Sequence, residues 1–198
     1  LYAGAKAYYG DYHCHSNSGG TSDGKTPIEE YLQGMQEKRL DFAAIVDHRQ
    51  MRHFFLPEWD EQYLICGTEP STLMLDPSRS QDACKFDYTM IFPDKTGLAK
   101  VYEAFPEFEF TGGWDGHSIY PRWTKDRFME LSEFVWNLGG MVSHAHPRQL
   151  MASKDPLDYY FGDLVALETV TLGVASFSAV VVVVGFLVVV VVGFVCLP

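Results

Sequence analysis

The sequence predicts an α/β protein with a parallel sheet, open or closed into a barrel. Short apolar runs of strand length alternate with longer amphipathic segments of helical period up to residue 170. Polar residues of the kinds that do chemistry fall just past several of those strands, where sheets of this class gather their ligands. Five of the seven histidines sit there, which a scatter of structural histidines would have no reason to do.

Residues 8–15 read as the first strand, ending in His13-Cys14-His15. Side chains at i and i+2 share a strand face, so the two imidazoles project together and Cys14 faces away into the core. A Gly/Ser/Asn-rich loop, 16–24, leads to a helix with Thr26 as N-cap, Pro27 in the first position and Glu29 completing a capping box. Its apolar face is Ile28, Tyr31, Leu32 and Met35. Residues 42–47 form an apolar strand ending at His48, and 63–67 another ending at Thr68-Glu69. Residues 86–92 make the fourth strand, followed by a helix that turns Leu98, Val101, Tyr102 and Phe105 inward. After a longer loop, a helix begins at Thr124, keeps Phe128, Leu131, Phe134, Val135 and Leu138 at helical spacing, and stops at Gly139-Gly140. Residues 141–146 and 164–170 are the fifth and sixth strands. No internal repeat and no low-complexity linker precede the tail.

A length of 198 residues suits one domain with a sizeable core, and 47% hydrophobic with 21% charged residues is the composition of a soluble globular protein. The net charge of −11 argues against a nucleic-acid-coating surface. Part of that acidity suits metal ligands, whose charge a cation would offset. The four cysteines, Cys14, Cys66, Cys84 and Cys196, show no close pairing, which points to a reducing, cytoplasmic setting. No signal peptide is visible. Residues 169–198 carry no charge and are mostly valine from 180 to 195. Three readings stay open for this tail: letters that do not report a gene-encoded sequence, Val-rich strands buried on both faces, and a membrane span without the usual flanking charges. No chemistry is placed on it, no membrane partner is expected, and it is treated as a continuation of the domain formed by residues 1–168.

Two imidazoles on one strand face suit a shared metal. His144-Ala145-His146 repeats the i, i+2 geometry, and Pro147 then breaks the strand. Together with His48 and Glu69 this is more ligand density than one zinc needs, and a bridging carboxylate suits two or three divalent ions side by side.

The motifs HCH at 13–15, TSDG at 21–24 with KTP after it, VDH at 46–48, GTE at 67–69 and HAHP at 144–147 resemble the PHP (polymerase and histidinol phosphatase) family of metal-dependent phosphoesterases. The resemblance covers most of residues 8–168. It implies a distorted (β/α)7 barrel with a trinuclear manganese, iron or zinc site at its carboxyl end. It also implies that His13, His15, His48 and Glu69 are ligands, Glu69 bridging. His146 matches the family ligand better than His144, and Asp23 matches the family's loop aspartate. Two departures accompany it. Where the family carries a histidine on the fourth strand this chain has Asp87, an oxygen ligand or a surface carboxylate, and the family's closing Asp-x-His is absent from the tail.

The expected activity is hydrolysis of a small phosphorylated substrate by a metal-activated hydroxide at a di- or trinuclear site, with two or three divalent ions (zinc, manganese or iron) as cofactors. Arg49 and Arg148 directly follow ligand-like histidines and would reach a substrate phosphate, which arginine clamps bidentately. His53 and His117 fall in loops and read as surface or ligand-orienting residues; Trp114, Trp123 and Trp136 read as packing. Two other readings stand beside this one: an amidohydrolase-type metal hydrolase, which leaves Glu69 unexplained, and a degenerate non-catalytic metal-binding barrel. Oligomeric state is not legible.

Overall fold

Near-continuous apolar runs give the strands two covered faces, and the computed structural model, which describes residues 8–75, 83–108, 122–145, 165–170, 177–184 and 187–194, shows what covers them. In chain order the elements are β1 (Gly10–Cys14), α1 (Ile28–Lys38), β2 (Phe42–Ile45), β3 (Leu64–Thr68), β4 (Ser71–Leu75), β5 (Ala83–Phe92), α2 (Gly97–Ala104), β6 (Arg122–Thr124), α3 (Lys125–Asn137), β7 (Met141–His144), β8 (Val165–Val170), β9 (Phe177–Val184) and β10 (Leu187–Phe194). The main sheet runs β1-β2-β3-β5-β7-β8-β9-β10 and curls until β10 lies against β1.

The outer face of β1 and β2 packs Cys14, Ala43 and Ile45 against Ile28, Tyr31 and Met35 of α1. Further along, Tyr88, Met90, Phe92 and Val142 pack against Leu98 and Val101 of α2 and Phe128, Leu131 and Val135 of α3. The inner face holds a smaller cluster of Tyr12, Ala44 and Val46, with Ile65, Ile91 and Met141 beside it. Helices outside and a small apolar plug inside make a mixed α/β half-barrel.

The expected parallel order fails at two strands. β5 runs antiparallel to both β3 and β7, and β9 runs antiparallel to β8 and β10. The cause lies in the connections. Only Glu69 and Pro70 separate β3 from β4, so the chain does not cross over a helix there. It continues into β4, and β5 then returns antiparallel to both β4 and β3. β4 and β6 were not foreseen; they pair with each other beside the amino-terminal half of β5. With three helices instead of seven βα units, the described residues do not form a full (β/α)7 barrel. Two segments of the charge-free tail are strands, and no described helix is long and apolar enough to cross a membrane.

The helix starts divide. Thr124 caps α3 as its sequence suggests, its side chain accepting from Arg127 N–H. Thr26 does not cap α1; Pro27 holds the cap position and makes no side-chain bond. Thr26 is drawn instead into a parallel bridge with Ser16, its carbonyl accepting from Asn17 N–H at 3.0 Å.

β1 pairs in parallel with β2 but slips register: Asp11 stands opposite Ala43 and Cys14 opposite Ile45, so Tyr12 and His13 share the space across from Ala44. On β3, Gly67 is pressed against neighbouring strands. A Cβ there would lie 2.5 Å from Met90 O and 2.7 Å from Val46 Cγ1. Gly67→Ala is expected to cost about 1–3 kcal/mol by overpacking, read as a lower urea midpoint; a variant as stable as the parent would show that β3 has room to move.

Candidate metal centre

Glu69 follows β3 at the seam where the chain leaves one set of strands for the next. Its N–H donates to Asp47 O at 3.1 Å, its carbonyl accepts from Arg49 N–H at 3.2 Å, and it bridges to His48 as a parallel pair. Alternation along the strand puts Glu69 on the face of Ile65 and Gly67, the inner one. His48 follows β2 on the face of Ala44 and Val46, and His13 lies opposite the Cys14 face, so all three point into the curl.

The 16–24 loop is fastened onto these strand ends. Tyr31 from α1 donates its hydroxyl to His15 O at 2.7 Å, and Thr21 donates its hydroxyl to His48 O. The main anchor is Asp47, fully buried. Its carboxylate accepts from Ser16 N–H at 2.6 Å, from the hydroxyls of Ser16 (2.7 Å), Ser18 (2.7 Å) and Ser22 (2.9 Å), from Gln50 Nε2 at 2.9 Å and from His53 Nδ1 at 2.7 Å. Burial alone would push this carboxyl up; the His53 hydrogen bond and attraction, with the Ser16 and Ser18 hydrogen bonds, outweigh it and hold it at about 2.

At the centre, one oxygen gathers three rings. Glu69 Oε2 lies 3.2 Å from His13 Nε2, 3.1 Å from His15 Nε2 and 3.1 Å from His48 Nδ1. His13 Nε2 and His15 Nε2 are 3.0 Å apart, with their rings stacked. Asp23 stands at the rim, its side chain 59% exposed, with Oδ1 3.0 Å from His15 Nδ1 and Oδ2 3.5 Å from His48 Nε2. His15 Nδ1 is buried yet aligned with no hydrogen-bond partner. Burial would raise the Glu69 carboxyl, but the attraction and hydrogen bond of His13, the hydrogen bond of His15 and the attraction of His48 hold it well below the ordinary value. His48 is held below the usual imidazole value, first by burial and also by His15, against the pull of Glu69 and Asp23.

This donor set fits a divalent ion. Ligands about 2.0–2.1 Å from a tetrahedral metal stand roughly 3.3 Å from one another, and His13 Nε2, His15 Nε2 and Glu69 Oε2 are spaced at 3.0–3.2 Å. Two ligand groups emerge among the described residues, His13-His15-Glu69 and His15-Asp23-His48. The lowering at His48 favours the neutral ring, the form that offers a metal a lone pair.

His144 belongs to neither group. It pairs with Tyr88, whose ring lies in the cluster beneath α2 and α3, so strand alternation turns His144 toward the helix layer and away from Glu69. His144, expected beside His146 as a ligand or a ligand-orienting residue, stands on the Tyr88 face of its strand. His146, Arg148, His117 and Trp114 lie outside the described residues. Asp87 is buried; its Oδ1 accepts from Ser71 Oγ and its carbonyl from Ala145 N–H at 3.0 Å. The reversed β5 brings it to the same end of the sheet as Glu69, though into neither group. Arg49 takes a left-handed backbone, φ 52°, beside His48, a conformation that costs a non-glycine residue about 1–3 kcal/mol and clusters at functional sites. His53 is not a surface residue: it is fully buried, bonded to Asp47 and packed against Phe54 and Trp59. The residue the sequence did not single out is Asp47. The one signal for it was four donors, Ser16, Ser18, Ser22 and Gln50, crowded around the histidine motifs.

No family model matches the sequence, and no curated protein matches it. Among solved structures the chain is similar to a Bifidobacterium adolescentis protein named a "putative metal-dependent phosphoesterase", at 15% identity over 74% of this chain and 74% of that one, with a TM-score of 0.43. Likeness of that degree indicates neither a family nor an activity.

Gly24, next to Asp23, touches the strand end: a Cβ there would fall 2.3 Å from the His15 carbonyl carbon. Gly24→Ala is expected to lift the loop and weaken divalent-ion affinity about 10–100-fold, the range for changes that misplace metal ligands. Isothermal titration with zinc checks it, and unchanged affinity would show that the loop closes without this contact.

Proposed function

We propose that this chain is a metal-dependent phosphoesterase of the PHP type, acting on a small phosphate ester. The observation that carries the reading is the convergence of three ring nitrogens, from the ends of two strands, on one oxygen of a carboxylate that is 1% exposed. Two or three divalent ions, zinc, manganese or iron, would be held by His13, His15, Asp23, His48 and Glu69, with His146 as the further ligand suggested by the HAHP motif. When bound, such ions lower the pKa of coordinated water toward ~7 and neutralise charge building on a phosphoryl group.

The chain's own residues set the geometry. The i, i+2 pair at the end of β1 and His48 after β2 present ring nitrogens to one point, and Glu69 supplies the negative charge that would balance the cations there. Asp23 stands at the exposed mouth, where a substrate would enter. Arg49, whose backbone N–H bonds Glu69 O beside His48, would be the cation that pairs with a phosphoryl oxygen; Arg148, after the HAHP motif, would be a second. Buried Thr89 of β5 and Ser143 of β7 are hydrogen-bonded to each other at 2.7 Å, Thr89 on the Asp87 face of β5.

Protein purified without chelator is expected to carry two or three transition-metal ions per chain by elemental analysis and to hydrolyse p-nitrophenyl phosphate. Fewer than one ion per chain would sink the cluster, and full metal without turnover would leave a non-catalytic barrel. Glu69→Gln keeps the size but removes the charge; it is expected to lose at least one ion and to slow turnover by at least about a hundredfold, whereas near-parental turnover would make the carboxylate a bystander.

Chelation tests the same site through stability. An ion present at about 100 times its Kd stabilises the fold by about 2.7 kcal/mol, so stripping it should lower Tm by roughly 5–10 °C for a chain of this size. A Tm indifferent to chelator and to added zinc would count against a bound ion.

A further inference from the structure

We infer that Asp47 is a positioning residue: its buried carboxylate fixes the 16–24 loop and so sets where Asp23 stands against the rings of His15 and His48. The inference rests on the proposed metal centre for its consequence, and on contacts that are independent of it for its geometry.

Asp23 has no anchor of its own among the contacts just described. Its side chain is largely exposed, and both of its close partners are ring nitrogens of the site. What holds its backbone is on either side. Ser22, the preceding residue, sets its hydroxyl between Asp47 Oδ1 at 2.9 Å and Ser16 O at 2.5 Å, one proton serving both, and Ser22 Oγ also accepts from Gly24 N–H at 3.3 Å. Upstream, Ser16 and Ser18 give three more donors to the same carboxylate. Four of its contacts therefore come from one nine-residue loop, and they approach from three serines spread along it. Gln50 ties Asp47 Oδ2 to Ser18 Oγ a second time, through Nε2 at 2.9 Å from each.

The other side of Asp47 is braced. His53 Nδ1 must carry the proton in its 2.7 Å contact, because two lone pairs would repel there. The His53 ring is packed edge-on to Phe54 and tilted against Trp59, so the donor cannot swing away. Asp47 is thus gripped from the short helical turn Arg52–Phe55 and grips the loop in turn. Because Asp47 O also receives Glu69 N–H, one residue references Asp23 and Glu69, the two carboxylates of the site, to the same point on the chain after β2.

The test uses Asp47→Asn, Asp23→Asn, the double variant and the milder Ser22→Ala in the full chain. In metal-free protein, ¹⁵N resonances of the His15 and His48 rings are read by NMR. Asp47→Asn is expected to move both sets as Asp23→Asn does, and the double variant to look like Asp23→Asn alone. Ser22→Ala, which removes only one loop-side hydroxyl, should move them in the same sense and decides the matter if Asp47→Asn does not fold. Zinc titration should then show a 10–100-fold loss of affinity for either single variant and no further loss in the double. Ring signals of His15 and His48 unchanged in Asp47→Asn, or affinity losses that simply add, would overturn the inference. If the parent chain binds no zinc, the metal reading falls while the ring signals still judge the positioning role.

Discussion

Moving a carboxylate out of water costs several kcal/mol unless charge and hydrogen bonds compensate it, and this chain does so twice around His48. Asp47 is fully buried and Glu69 nearly so. Each is met by imidazole: His53 for Asp47, and His13, His15 and His48 for Glu69. The two are joined through the backbone, since Asp47 O accepts both Glu69 N–H and the Thr68 hydroxyl at 2.9 Å. Removing a partner from a buried pair strands the other charge, so the loop after β1, the turn after β2 and the end of β3 are bound to one arrangement by electrostatics rather than by apolar packing.

The seam at Glu69-Pro70 explains why that arrangement sits at a sheet end. β3 hands the chain to β4 there, and β5 spans both, pairing with β4 through its first half and with β3 and β7 through its second. Proline suits the seam because it has no N–H to leave unpaired where one ladder stops, while its carbonyl still accepts from Tyr88 N–H at 3.2 Å. Reversing β5 also delivers Asp87 to the end that collects Glu69, something no parallel strand would do with its amino-terminal half.

Much of this was legible residue by residue. Period-2 alternation suffices to put His13 and His15 together, and the ends of β2 and β3 point to His48 and Glu69. Thr124 announces α3 because a serine or threonine cap followed by helical spacing is local information. Direction is not local: the residues of β5 read the same in either sense, and its reversal follows from the chain running on past Glu69-Pro70 into β4 without a helical crossover, so that β5 returns antiparallel to both β4 and β3. The side that His144 takes is non-local for a related reason. The i, i+2 rule says which residues share a face but not which face, and pairing with Tyr88 decides that. Asp47 was hidden because its importance lies in who surrounds it, three serines and a histidine from two separate loops, which no spacing within one strand reveals.

The slipped register of β1 has a consequence for how such a centre is encoded. A regular strand must give each inward slot either to the core or to the site, never to both from consecutive residues. By setting two residues against Ala44, β1 lets Tyr12 plug the inner cluster while His13, its immediate neighbour, reaches Glu69. The arrangement is therefore written in chain length as much as in residue type. Along this strand a one-residue deletion would force the plug and the ligand to compete for a single slot, a trade that no later substitution at either position could undo.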